Sequence, residues 1–347
     1  MKRLPVYLHV MVLAAGFAVS CEKEIEFKGE ALDPKIVVYS VLDPDSIITA
    51  GISVSHPIFD PEYTYKQIVN ADVKLFEDGV FLESLVYVPL DSGTLNIHPL
   101  SVYASTSHKP VPGKHYRLEV SLNGYKKAVC EASLPAPVDI ISVDTSTQRG
   151  NDSERDYNVW NTRIRFRDPA GEENFYRLIL RWSYGYYSGD KALPYSAYFP
   201  VFVYIQENSY VDTKDPLLVP AEENSLFGTD VPNTYLIFSD ELISGKEHEL
   251  VFNIPQIYQP IDTNYHEFMA ITVELQSISR DLYKYLLTYA ANSMLEDNFI
   301  SEPVMVYSNV ENGLGAFGAC VPSRFSIMEG SYPQVGVYYV IVPSYYL

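Results

Sequence analysis

Along most of the chain, apolar residues recur at every second position in short runs separated by Gly, Pro, Asn and Asp. A period of two places alternate side chains on opposite faces of an extended backbone, so the pattern predicts strands in series. The first is "KIVVYSVLD" (35–43), followed by "ITAGISVSH" and by "ADVKLFEDGVFLESLVYV", which carries Asp78-Gly79 at a hairpin tip. In "GKHYRLEVSLNGYKKAVCEASLP" (113–135), Tyr116, Leu118 and Val120 alternate up to Asn123-Gly124, a dipeptide suited to the positive φ angles of a type I′ turn. Alternation resumes through Ala128, Cys130 and Ala132. Further strands are predicted at 158–169, 174–187, 234–240, 248–255 and 266–279, with "VMVYSNV" and "VGVYYVIVPSYYL" closing the chain. One segment breaks the period. In "SRDLYKYLLTYAANSMLEDN", Leu282, Tyr285, Leu286 and Tyr289 fall at i, i+3, i+4 and i+7, which is one face of a helix. Asp281 sits near the positive end of its dipole.

These elements predict a mainly β protein. Short strands at this spacing suggest a sandwich, and "PGKHYRLEV" resembles the strand entry of immunoglobulin-like modules. With "LPAPV" (134–138) as a boundary, the reading is an immunoglobulin-like β-sandwich over 35–137, then a larger β-rich domain over 138–347 holding one amphipathic helix at about 280–296.

The start of the chain has a different pattern. Lys2 and Arg3 precede an almost wholly apolar run, Val6 to Val19, which is shorter than the roughly 20 residues needed to span a bilayer. It reads as a signal peptide, residues 1–20. Ala18-Val19-Ser20-Cys21 resembles a bacterial lipobox, with Ala18 where Leu is usual, and assigns Cys21 as the acylated residue that anchors the mature chain. The plainer alternative is a secreted protein with Cys21 buried or in a disulfide. Residues 21–34 form an acidic tether, and Glu22, Glu24 and Glu26 look like the signal that exports Bacteroidota lipoproteins to the cell surface. The expected location is the outer membrane, lipid-anchored and facing outward.

Composition narrows the possibilities. The chain has 25 Lys and Arg against 44 Asp and Glu, a formal charge of −19. Nothing in it offers the basic patch that nucleic acid requires, and the charge opposes lying flat on an anionic leaflet. Of the three cysteines, Cys130 and Cys320 remain once Cys21 is acylated, and the sequence leaves their pairing open.

Chemistry is sparse. His248-Glu249 and His266-Glu267 begin like a zinc-protease motif, but Phe252 and Ala270 stand where the second His belongs. "NDSERD" (151–156) clusters acids without the Gly and terminal Glu of a calcium loop. There is no nucleophile elbow and no P-loop. No catalytic residue, metal ligand or cofactor is nominated, and the protein is read as non-enzymatic. The contact candidates are aromatic: Tyr184, Tyr186, Tyr187, Tyr195 and Tyr198, which could stack on a ligand or fill a partner's pockets, or could simply pack on the sheet. In "YSNVENGLGAFGA", Gly313, Gly315 and Gly318 read as a structural motif, a strand and tight turn where backbone passes closely.

The lipobox, "KIVVYSVL", "VNADVKLFEDG", the "PGKHYRLEV" to "LPAPV" stretch and the order "SISRDLYKYL" then "PVMVYSNVENGLGAFGA" together resemble a family of Bacteroidota lipoproteins, domain-of-unknown-function family 4249. The resemblance implies an outer-membrane lipoprotein typically encoded beside a TonB-dependent transporter, with no catalytic residues to carry over. The expected function is an accessory or ligand-capture partner of such a transporter. The alternatives are a stand-alone glycan- or peptide-binding lipoprotein and, behind both, a surface hydrolase.

Overall fold

The computed structural model describes residues 33–56, 66–89, 101–151, 156–188, 202–207, 212–218, 233–256, 265–295 and 304–330. Its chain divides into Met1–Asp33 and Pro34–Leu347, and the fold below belongs to the second unit.

The protein is mainly β. Strands β1 (Ile36–Leu42), β2 (Thr49–Val54), β3 (Asp72–Glu77), β4 (Val80–Tyr87), β5 (Ser101–Ala104), β6 (His115–Ser121) and β7 (Ala128–Ser133) form its first part. In β6 every second residue is buried, as the alternation of Tyr116, Leu118 and Val120 requires. Ile36, Val38, Ala50, Ile52 and Tyr103 from β1, β2 and β5 meet Val73, Leu75, Leu118 and Cys130 from β3, β6 and β7 in one core. Strand β4 pairs with β3 from Val80 to Leu85 and with β5 at Val86 and Tyr87, so it passes from one layer to the other. This layering is compatible with an immunoglobulin-like sandwich.

The two turns read from sequence differ. Asp78 and Gly79 both adopt positive φ, 48° and 81°, and join β3 to β4 in two residues. At Asn123-Gly124 only the glycine does (87°), the Tyr125 N–H bonds the Leu122 carbonyl, and β7 begins only at Ala128. A type I′ hairpin is therefore not formed. Leu122 and Tyr125 pack against the core, and holding both there widens the connection.

The second part contains β8 (Ile140–Asn151), β9 (Asp156–Arg167), β10 (Phe175–Ser188), β11 (Phe202–Glu207), β12 (Asp212–Thr213), β13 (Ile237–Ser239), β14 (Glu247–Gln256), β15 (Tyr265–Ile278), helix α1 (Arg280–Leu295) and β16 (Gly313–Gly330). Strands β12, β14, β9 and β8 make a four-stranded sheet. Along β9, Trp160, Thr162, Ile164 and Phe166 are buried and the arginines between them exposed. That inner face joins Tyr176, Leu178 and Leu180 of β10 and Val273 and Leu275 of β15 in a second core. The coil between β7 and β8 places Leu134 in the first core and Val138 in the second.

Strand β16 connects the larger sheet. Gly313–Ala319 pairs in parallel with β1, and Cys320–Gly330 pairs antiparallel with β15. The sequence pattern placed a strand at 304–310 and a tight turn in the glycines. Instead 304–310 is irregular, the turn falls at Glu311–Asn312, and the glycines lie within β16. Side chains capture the backbone of 304–310 before a ladder can: Thr288 Oγ1 accepts from the Tyr307 N–H, and Asn292 donates to the Val304 carbonyl. Asn309 accepts from the Phe317 N–H and donates to its carbonyl, standing in for a neighbouring strand.

Helix α1 starts where a capping residue allows it. Ser279 Oγ accepts from the Leu282 N–H, and Asp281 lies in the first turn. The same oxygen accepts from the Ala319 N–H, tying the helix start to β16. Leu282 and Leu286 are buried on the sheet with Phe175, Ile278 and Cys320, while Tyr283 and Tyr285 are half-buried beside them. The predicted terminal strand at 335–347 lies outside the described residues.

Candidate functional site

Where α1 crosses the sheet, four tyrosines and one arginine gather. Tyr39 comes from β1, Arg177 from β10, Tyr235 from just before β13, and Tyr285 and Tyr289 from successive turns of α1. The rings of Tyr285 and Tyr289 are stacked, with centroids 5.7 Å apart at 18°. Tyr39 lies 5.7 Å from Tyr285, Tyr235 lies 6.4 Å from Tyr289, and the Arg177 guanidinium sits 5.6 Å from the centre of the Tyr235 ring.

Strand alternation explains how Arg177 gets there. Tyr176, Leu178 and Leu180 occupy the second core, so Phe175, Arg177 and Ile179 take the opposite face, on which α1 lies. Burial, and then the neighbouring Tyr285, raise the Tyr39 phenol well above its ordinary range, with Arg177 acting in the opposite direction. Burial, then Tyr289 and Tyr235, push Tyr285 up to about 12. Two polar groups here are buried without a hydrogen-bond partner, the Tyr39 hydroxyl and Arg177 Nε. Beside them the charges are matched. Glu274, buried on β15, accepts from Arg324 Nε at 2.7 Å and from Gln276, and Arg324 also pairs with Asp45.

The cluster sets two buried, unpartnered polar groups among aromatic rings. Sequence reasoning missed it because its members come from separate segments of the chain. The available signal was Arg177 alternating with Phe175 and Ile179 in the apolar first half of the strand.

The sequence-nominated residues lie elsewhere. Tyr184 pairs with Tyr204 and Met269, Tyr186 with Phe202 and Glu267, and Tyr187 with His266, all in the far half of β10. Tyr195, Tyr198 and Cys21 lie outside the described residues. Of the glycines, a Cβ on Gly313 would stand 2.8 Å from the Ile36 carbonyl oxygen, one on Gly315 only 2.0 Å from that of Val38, and one on Gly318 2.7 Å from Leu282 Cβ of α1. His248 Nε2 lies 3.2 Å from Asp215, itself buried and accepting from the Leu217 N–H. Among the described residues, no group of His, Cys, Asp or Glu is placed to hold a metal ion, and no helix is long and apolar enough to cross a membrane.

Cys130 and Cys320 are buried free thiols. Burial pushes both up to about 12, helped by Glu131 at Cys130 and by Asp43 and Glu274 at Cys320. Thiolate is the reactive form, so at pH 8 a chromogenic disulfide reagent should titrate neither in the folded protein and both after denaturation. Rapid reaction of the native protein would show that these strands open.

The sequence profile of the family described as "Domain of unknown function (DUF4249)" matches residues 22–326. No curated protein matches the chain.

Proposed function

Since the chain belongs to domain-of-unknown-function family 4249, we propose that it is a surface-exposed outer-membrane lipoprotein, non-enzymatic, serving a TonB-dependent transporter by capturing ligand or docking on the barrel. The observation that carries the anchored part is the run Val6 to Val19 ending in Ala18-Val19-Ser20-Cys21. The acidic tether after it then leads into β1 at Ile36. Capture is supported by the half-buried tyrosines Tyr235, Tyr285 and Tyr289 grouped along α1, aromatic side chains of the kind enriched in ligand and partner contacts. The same group of tyrosines favours the second reading, a stand-alone glycan- or peptide-binding lipoprotein.

A mild-detergent pull-down of the tagged lipoprotein from outer membranes separates the two. A stoichiometric TonB-dependent barrel identified by mass spectrometry is the expected result. A solitary lipoprotein would overturn the transporter role. Cys21→Ser should also release the protein from the membrane, and retention of that variant would refute the anchor.

A further inference from the structure

The chain has two Asn-Gly bonds, Asn123-Gly124 and Asn312-Gly313. In such a pair the glycine nitrogen can close a five-membered ring onto the Asn side-chain carbonyl carbon, and glycine has no side chain to shield that nitrogen. Both asparagines are exposed. Sequence and exposure therefore treat them alike, and the backbone separates them.

At Asn312 the attacking atom is already engaged. The Gly313 N–H donates to the Val310 carbonyl at 3.3 Å. Gly313 is buried as the first residue of β16, opposite Ile36 of β1, and a Cβ there would stand 2.7 Å from Val310 Cγ1. Glu311 exchanges both backbone hydrogen bonds with Val129, at 2.7 and 3.1 Å, and the Asn312 amide donates to the Lys127 carbonyl. A ring can close here only if the start of β16 comes away from β1.

At Asn123 nothing comparable holds the backbone. The Tyr125 N–H bonds the Leu122 carbonyl, and of the two residues between them only Gly124 has positive φ (87°), the signature of a type II turn. That geometry turns the N–H of the middle peptide, which belongs to Gly124, away from the closing hydrogen bond. Among the described residues neither this N–H nor the Asn123 side chain has a hydrogen-bond partner, and a Cβ on Gly124 would meet nothing within 4 Å. The turn also lies outside the ladder, since β6 ends at Ser121 and β7 begins at Ala128.

We propose that Asn123 is a site of spontaneous deamidation in the folded protein, while the fold protects Asn312. The Gly124 nitrogen loses its proton to solvent base and bonds to the Asn123 side-chain carbonyl carbon. The bond from that carbon to the side-chain amide nitrogen breaks, and the nitrogen leaves as ammonia. Solvent water then opens the succinimide at either carbonyl, giving aspartate or isoaspartate without oxidation or reduction. Either product adds a negative charge to the turn. Isoaspartate also inserts a methylene into the backbone between Leu122 and Tyr125, both packed on the first core. The turn between β6 and β7 therefore changes with the age of the molecule, whatever partner the protein serves.

The test is peptide mapping by mass spectrometry of the mature lipoprotein in detergent, incubated folded and in denaturant at mildly alkaline pH. In the folded protein the Asn123 peptide should convert to aspartate and isoaspartate. Asn312 should convert at least about 10-fold more slowly, because its ring needs a local opening of β16. In denaturant the two should convert at similar rates. Equal rates at the two sites in the folded protein, or an Asn123 that converts only in denaturant, would overturn the proposal. So would aspartate formed without isoaspartate, which would show direct hydrolysis and not attack by Gly124.

Discussion

Gly315→Ala should destabilise the protein by about 3 kcal/mol or more, combining the strain of a side chain in a glycine-only region, of order 1–3 kcal/mol, with overpacking of similar size. Gly315 has φ +106°, and a Cβ there would lie 2.0 Å from the Val38 carbonyl oxygen. That oxygen belongs to β1, whose parallel register with β16 runs from Ile36↔Gly313 to Leu42↔Ala319. Relief requires the two backbones to separate, which breaks the pairing through which β16 links β1 to β15. Gly79→Ala isolates the conformational part, since Gly79 also has positive φ (81°) but a Cβ there would meet nothing within 4 Å. It should cost only about 1–2 kcal/mol. Gly318→Ala should fall between them, because the obstacle is the Leu282 side chain of α1 and not a backbone. Thermal unfolding followed by circular dichroism ranks the three, with Gly315→Ala lower by roughly 10 °C if each kcal/mol lowers the midpoint by about 2–4 °C. If Gly315→Ala and Gly79→Ala melt together, the close approach of β16 to β1 is not what the glycine is for.

Those glycines show what a sequence pattern conveys and what it does not. That backbone passes closely at 313–318 was legible, since few other reasons exist for glycine at such spacing inside an apolar run. That the partner is β1, from the far end of the described chain, was not: parallel pairing leaves no local turn to read. The same division holds elsewhere. Strands β6 and β9 announce themselves because one face is buried and the other wet. Helix α1 does so because Leu282 and Leu286 repeat at helical spacing. The segment 304–310 carried a strand-like composition yet forms none, because Thr288, Asn292 and Asn309 take its hydrogen bonds or those of its neighbours. Side-chain competition of this kind depends on tertiary placement. The tyrosine–arginine cluster is the extreme case. Arg177 looks like one of several strand arginines until the structure sets it against the Tyr235 ring with its Nε buried and unpartnered. Tyr39, Tyr235 and Tyr285 are three among 29 tyrosines.

Arg324→Ala should be the other severe change, with a cost of about 3 kcal/mol, at the low end of what removing one partner of a buried ion pair produces. The asymmetry of the pair sets the direction. The Glu274 side chain is 1% exposed and that of Arg324 40%, so the arginine can reach water while the carboxylate cannot. Arg324 Nε donates to Glu274 at 2.7 Å, and Gln276 donates to the other oxygen. Truncating the arginine removes the counter-charge that Arg324 supplies to this buried carboxylate, and it also frees Asp45 in the turn after β1. The Asp45 contact is exposed and should contribute little, so Asp45→Asn should lower stability by no more than about 1 kcal/mol. The decisive comparison is the double variant Glu274→Gln with Arg324→Met, which removes both charges while keeping most of the packing volume. If the loss in Arg324→Ala is the stranding of a charge, the double variant should recover most of it, since a neutral replacement of a buried pair is often close to neutral in stability. If the double variant is as unstable as the single one, Arg324 contributes through the packing of its stem against β15, and the electrostatic account fails. Chemical denaturation of wild type, Glu274→Gln, Arg324→Met and the double variant closes the cycle and gives the coupling directly.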